Sequence, residues 1–287
     1  MGRHVLDQID PEAWGEIHLL ARRPVDVPES LTTRTRTWQG DLCDPATYGE
    51  VLGERTIVIH LAAAVGNATP DQHRQTNVEG TRVLLAAAEN AGVRRFLHVS
   101  TIAVTFGDIS DYPYALSKRD AEELVRESSL EHVIARPTIV LGPGSPIWDR
   151  FRSLAAGPLL LVLGSGRARI QPVWVDDLAA ALLRLAVEPG VAGRTLELGG
   201  PDALEIGEFL QRARRATGRG GGPTVRIPLG PVLGPLRLVE KATSINLPVS
   251  AGQFSSFVHD GVAENDESAW PADYERTDVD GMLERLT

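Results

Sequence analysis

Residues 56–64 read TIVIHLAAA, a continuous apolar run bounded by polar residues. A short run with no in–out alternation is how a strand buried on both faces of a parallel sheet reads. Residues 95–101 and 133–140 repeat the pattern. Between the first two runs, residues 72–91 carry Val78, Val83, Leu84 and Ala87 on one helical side. Between the next two lies a helix that bears Tyr114 and Lys118. Upstream, the spacing predicts a helix start from Gly2, a strand over 14–21 with Ile17, Leu19, Leu20 and Ala21 at its apolar end, and a strand over 35–39. Downstream it predicts a strand over 170–175, a helix over 176–186 and a last sheet strand over 195–198. Strands alternating with helices of about ten residues or more indicate a doubly wound α/β domain.

The remaining segments form a smaller unit. Residues 144–166 read as a mobile stretch with a short apolar helix. Residues 206–217 form an amphipathic helix with Phe209, Leu210 and Ala213 inward. A short strand is expected over 226–228, a helix over 231–242 broken by Pro235 near its start, and a closing helix over 278–286. The expected division is a sheet domain of residues 1–144 and 170–198, with a substrate-binding region of 145–169 and 199–287.

Composition narrows the function. The 287 residues are 43% hydrophobic and 23% charged, enough for a sizeable core. The net charge of −9 argues against tracking along nucleic-acid phosphates. One cysteine, Cys43, excludes an internal disulfide framework or a cysteine zinc site. No apolar run approaches the ~20 residues that span a bilayer, and no signal peptide is visible. The expectation is a cytoplasmic soluble protein acting on a small molecule, without nucleic-acid or membrane partners and compatible with a homodimer. No metal site is expected.

Residues 98–118 carry the chemistry. Ser100 and Thr101 close a strand, and Tyr114 and Lys118 lie four residues apart on the next helix, on one face. A free phenol, with a pKa of about 10, is a poor acid–base at neutral pH, and a nearby cation favours the phenolate. A tyrosine, a lysine and a Ser/Thr hydroxyl together can pass a proton to or from an alcohol/carbonyl pair. Y-x-x-x-K alone is a weak signal, and it gains meaning from its neighbours.

A dinucleotide-binding sheet of this kind opens with a strand, a Gly-rich turn and a helix. Here the sequence opens inside that helix, with Gly2 where the last glycine of the turn would fall and no G-x-G-x-x-G nearby. The missing strand would lie between the strands at 17–21 and 57–62, leaving two unpaired edges. The expectation is that Met1 is internal to a longer chain. The alternative is a divergent paralogue with a weak cofactor site.

In order along the chain, several motifs resemble the short-chain dehydrogenase/reductase superfamily, in its extended or atypical NAD(P)-dependent epimerase/dehydratase group. Gly40-Asp41-Leu42 resembles the turn whose carboxylate reaches the adenine. His60-Leu61-Ala62-Ala63 resembles the strand end passing beneath the cofactor, and residues 76–81 (TNVEGT) resemble an Asn-bearing helix turn. Residues 98–101 (HVST) match the strand with the catalytic hydroxyl, placing Thr101 there, and Tyr114 and Lys118 match the catalytic pair. Arg136-Pro137 and the residues to Gly144 resemble the segment beside the nicotinamide, and residues 172–179 resemble a V-D-D-L/V-A helix start. The resemblance covers the chain to about Gly200. It implies a Rossmann-like sheet with a smaller C-terminal substrate domain, and an oxidoreductase using Thr101, Tyr114 and Lys118. Its implied cofactor contacts are Asp41, Leu42, Leu61, Ala62, Ala63, Tyr114, Lys118 and Pro137.

Arg22 and Arg23 follow the strand at 17–21, where the adenosine ribose would sit. An acidic residue there favours NAD and arginine accommodates a 2′-phosphate, so NADP is expected, with NAD the alternative. Asp176 or Asp177 reads first as a helix cap. Asn77 reads either as a cap or as a bridge near the site, and His60 as a satisfied core histidine. The resemblance also has departures. The interval between Thr101 and Tyr114 is short for sugar-nucleotide epimerases, and residues 104–107 are VTFG where V-Y-G is frequent. An epimerase or dehydratase acting on sugar nucleotides is therefore the second reading within the class. A dinucleotide-binding structural subunit without turnover is a third, favoured by the absent Gly-turn and opposed by the intact Thr101/Tyr114/Lys118 set. The 231–242 helix resembles the family's substrate lid.

Overall fold

A computed structural model describes residues 1–220, 223–228, 258–264 and 267–287. The 231–242 helix expected from sequence lies outside the described residues. The central sheet is four parallel strands in the order β10-β5-β4-β3: β3 is Ile57–His60, β4 Arg95–Val99, β5 His132–Pro137 and β10 Thr195–Leu198. A second parallel pair joins β1 (Ile17–Ala21) to β2 (Thr35–Gln39).

Helices cover both faces of the four-stranded sheet. On one face, Val58, Phe96 and Ile134 pack with Leu84, Leu85 and Ala88 of α3 (Gly80–Asn90) and Val125 of α4 (Pro113–Glu127). Leu20 of β1 and Leu42 join this cluster, so the β1–β2 pair shares its core. On the other face, Leu97, Val133, Ala135, Leu196 and Leu198 pack against Leu178, Leu182 and Leu185 of α6 (Val175–Val187) and Val5 of α1 (Gly2–Asp7). The alternation of side chains along each strand assigns neighbours such as Phe96 and Leu97 to opposite layers. The result is the doubly wound α/β architecture expected from the spacing.

Several elements differ from the expectation, each for a local reason. The 56–64 run keeps the ladder only to His60, and at its far end the backbone groups of Ala64 bond the Asn77 and His73 side chains instead of a strand. β3 is only half-buried through Ile57–Ile59. It pairs with β4 alone, and β1 pairs with β2 alone, so each keeps one unpaired edge among the described residues. The 133–140 run splits at Pro137 into β5 and β6 (Val140–Leu141), and β6 pairs with β9 (Val173–Trp174). The 170–175 run splits at Pro172, which lacks a ladder N–H, into β8 (Arg169–Ile170) and β9. The 72–91 helix is three pieces: α2 (Pro70–His73), a π-helical turn Arg74–Glu79, and α3. Gly80 begins α3 where Leu42 packs so closely that a Cβ would meet it at 2.7 Å.

The 144–166 stretch is more ordered than its composition suggests. It holds α5 (Pro146–Ala156) and a strand, β7 (Leu160–Leu163), that pairs in parallel with β12 (Thr224–Ile227). Trp148, Phe151 and Leu160 are buried with Phe209, Leu210 and Ala213 of α7 (Ile206–Ala216) and with Met282 of the C-terminal helix Val279–Leu286. Phe151 and Phe209 meet edge to face at 5.0 Å. No helix among the described residues is long and apolar enough to cross a membrane.

Candidate active site

In a parallel sheet the loops following the strands gather at one edge, and this is where α/β sheets bind ligands. Leu61–Ala63 follow β3, Ser100 and Thr101 follow β4, and Pro137 closes β5. In the β1–β2 pair, Arg22 and Arg23 follow β1, and Asp41 and Leu42 follow β2. Arg22 and Arg23 are exposed, and their side chains make no hydrogen bond or ion pair among the described residues. Asp41 accepts from Cys43 N at 2.9 Å, closing a local turn, and Leu42 is buried beneath Gly80. Ala62 is exposed, Leu61 and Ala63 are half-buried, and Pro137 is buried.

Thr101 leaves β4 in extended conformation and caps the following turn, its Oγ1 accepting from Ala103 N at 3.3 Å. Tyr114 sits in the first turn of α4, started by Pro113 at a position whose N–H would be orphaned anyway. Thr101 lies beside it and draws the phenol down a little. Its ring lies 5.9 Å from Tyr112 and 5.8 Å from His73. Burial, and secondarily Tyr112, push the phenol above its ordinary range, opposed by the neighbouring Thr101. Tyr114 is therefore an acid in this state, where the sequence led us to expect a phenol lowered by Lys118.

Lys118 is 1% exposed, and burial pushes its ammonium down to about 7 against the opposing pull of Glu122. Its ammonium has no hydrogen-bond acceptor among the described residues. A buried group with three donors at the ligand-binding edge fits a hydroxyl-rich partner such as the ribose of a nicotinamide dinucleotide.

Around Lys118 the interior between α4 and the sheet turns polar. His60 Nε2 lies 2.9 Å from Thr81 Oγ1, whose own hydrogen is committed to Asn77 O at 2.7 Å. The Nε2 atom therefore carries the proton. His98 stacks obliquely 5.3 Å from His60, and neither of its ring nitrogens has a partner. Burial, then the charge of Lys118, hold His60 down at about 3 and His98 well below its ordinary range, so both are neutral.

Glu122, fully buried, accepts from Arg136 Nε at 2.9 Å and Nη2 at 2.7 Å, and from Arg126 Nη2 at 2.5 Å. Burial pushes this carboxyl up, but the hydrogen bonds led by Arg136 outweigh it and hold the group below its ordinary range.

The bridge reading of Asn77 holds. From the π-helical turn it accepts from Ala64 N at 2.7 Å and donates to Ala64 O at 3.1 Å and to Ser117 Oγ at 2.9 Å. Inserted residues of this kind in helices recur at functional sites. Asp176 and Asp177 do not cap α6, whose N-cap is Trp174. Asp176 instead pairs with His4 at 2.6 Å, and Asp177 accepts from Thr277 N at 2.7 Å, fastening the C-terminal segment. Glu122 and Ser117 went unassigned in the sequence. Their signal was helical spacing, since Glu122 falls four residues after Lys118 on the same inward face.

The profile of the NAD dependent epimerase/dehydratase family matches residues 1–199. The chain is 30% identical over 190 residues to ceramide reductase of Caulobacter vibrioides, covering 66% of this chain and 58% of that protein. It is 28% identical over 205 residues to 2-alkyl-3-oxoalkanoate reductase of Stenotrophomonas maltophilia, covering 63% of this chain and 62% of that one. The chain thus spans about three-fifths of these relatives' length. The solved structure of the dTDP-glucose 4,6-dehydratase DesIV from Streptomyces venezuelae, with NAD and TYD bound, superposes with a TM-score of 0.65 at 25% identity, over 79% of this chain and 81% of that one. With this fold and a match over residues 1–199, the chain belongs to the NAD dependent epimerase/dehydratase family.

Proposed function

We propose that the chain is an NAD(P)-dependent oxidoreductase for a small carbonyl or alcohol, with Thr101, Tyr114 and Lys118 as its catalytic set. The observation that carries this reading is the placement of Tyr114 and buried Lys118 one turn apart on α4, with Thr101 beside Tyr114 at the end of β4. The nicotinamide, when bound, supplies or accepts the hydride. Tyr114 donates its proton to the substrate oxygen, a role suited to a phenol that burial keeps protonated. Thr101 hydrogen-bonds that oxygen from the end of β4. Lys118 holds the ribose.

Residues 1–144 and 170–198 would hold the cofactor, and 145–169 with 199–287 the substrate. Leu61, Ala62, Ala63 and Pro137 would line the nicotinamide side, and Asp41 and Leu42 the adenine side. Arg22 and Arg23, exposed beyond β1, favour NADP over NAD. The names of the two curated relatives support a carbonyl reductase reading. A sugar-nucleotide dehydratase or epimerase is the second reading, favoured by the likeness to DesIV.

The test is a screen of ketones and 3-oxo acyl compounds with NADPH, repeated with Tyr114→Phe. Turnover abolished in Tyr114→Phe, with cofactor binding intact, is expected. Turnover retained by that variant overturns the mechanism.

A further inference from the structure

Lys118 is one of only two lysines in the chain, with Lys241, where 27 other basic positions are arginine. Arginine does not give up its proton inside a protein, and lysine does. The charge at 118 therefore depends on its neighbours. His60 of β3 and His98 of β4 face it as neutral rings, and Tyr114 and Ser100 add no charge. Arg126 of α4 and Arg136 of β5 are positive and both pair with Glu122. Glu197 of β10 is negative but lies beyond Arg136, 3.6 Å from its Nη1. That leaves Glu122, one helical turn from Lys118 and wholly buried.

We propose that Glu122 is a positioning residue whose buried carboxylate is the counter-charge that keeps Lys118 protonated, and that Arg136 and Arg126 are the clamp that fixes this carboxylate. The inference rests on the reading of Lys118 as part of the catalytic set. A carboxylate needed only to tie α4 to β5 would satisfy Arg136 from anywhere on the helix face. At 122 it also lies on the inward stripe with Lys118, at the spacing where helix side chains interact. The geometry also fixes opposite signs for two substitutions. Removing Glu122's charge makes Lys118 easier to deprotonate. Removing Arg126, which competes for the same carboxylate, makes it harder.

The experiment is an NMR pH titration of the full chain labelled with [13C]lysine, without substrate or cofactor. Two lysine signals are expected, and Lys241→Arg assigns them by leaving one. The Lys118 signal should turn over near pH 7. In Glu122→Gln the midpoint should fall by about one pH unit or more, and Glu122→Asp should recover part of the fall. Arg126→Gln changes a partly exposed residue and so keeps the fold testable if Glu122→Gln does not fold. Its midpoint should rise. A midpoint unmoved in folded Glu122→Gln overturns the proposal, as does an unmoved or lower midpoint in Arg126→Gln. If Tyr114→Phe retains turnover while Lys118 still follows Glu122, the catalytic reading fails and this coupling stands.

Discussion

Asn77 Nδ2 donates to Ser117 Oγ over 2.9 Å, and this one bond ties the loop after β3 to the helix that carries Tyr114 and Lys118. Ser117 Oγ in turn donates to Tyr114 O at 2.8 Å. The strand end that would lie beneath the cofactor and the helix that would act on the substrate are thus held in one register.

Asn77→Ala removes three hydrogen bonds and leaves Ala64 N without its side-chain partner, while Ala64 O keeps only His73 Nδ1 at 3.1 Å. It should destabilise the fold by about 1–3 kcal/mol, read as a lowered urea midpoint. Ser117→Ala, which loses far less, should cost about 1 kcal/mol. Equal midpoints for Asn77→Ala and wild type would contradict the bridge.

Thr101→Val should lower turnover by roughly tenfold to a hundredfold, since it removes the hydroxyl beside Tyr114, while cofactor affinity is kept and the lost cap on Ala103 N costs about 1 kcal/mol of stability. Steady-state kinetics with a screened carbonyl checks this. A loss confined to KM would assign Thr101 to substrate binding instead.

The buried histidines set an acid limit on stability. His60, held at about 3 by burial, refuses a proton that the unfolded chain accepts near 6.5. Between those values the unfolded state binds more protons, so stability rises with pH at about 1.4 kcal/mol per unit for this group. His98 acts with the same sign. Lys118, depressed to about 7, adds a second rise between about 7 and the ordinary lysine range. Urea melts of wild type and His60→Gln from pH 4 to 7 should show a shallower slope in the variant. Parallel slopes would contradict the assignment.

The fold was legible in the sequence because both-face burial and helical stripes leave periodic traces. β2 and β10 fall where the residues place them, and Phe209, Leu210 and Ala213 are all buried. What did not read through was set by partners distant in sequence. Residues 61–64 look like strand until Asn77 claims Ala64. Leu160–Leu163 look like loop until β12 pairs with them. The site was legible as residue types, with Tyr114 and Lys118 sharing a face. Their electrostatics were not, because the raised phenol and the depressed ammonium both follow from depth of burial, which spacing does not encode.

Arg22→Ser and Arg23→Ser should each weaken NADPH binding by about tenfold, the value of one charge-assisted contact, and leave NADH unchanged. Equal losses for both cofactors would assign these side chains to the common pyrophosphate or ribose.

The most direct test of the catalytic account is a fluorescence titration of the folded chain with NADPH and then NADH, repeated with Lys118→Met. The account predicts saturable binding that prefers NADPH and is weakened in Lys118→Met. Saturable binding to neither cofactor by the folded protein, or binding indifferent to Lys118, would contradict it.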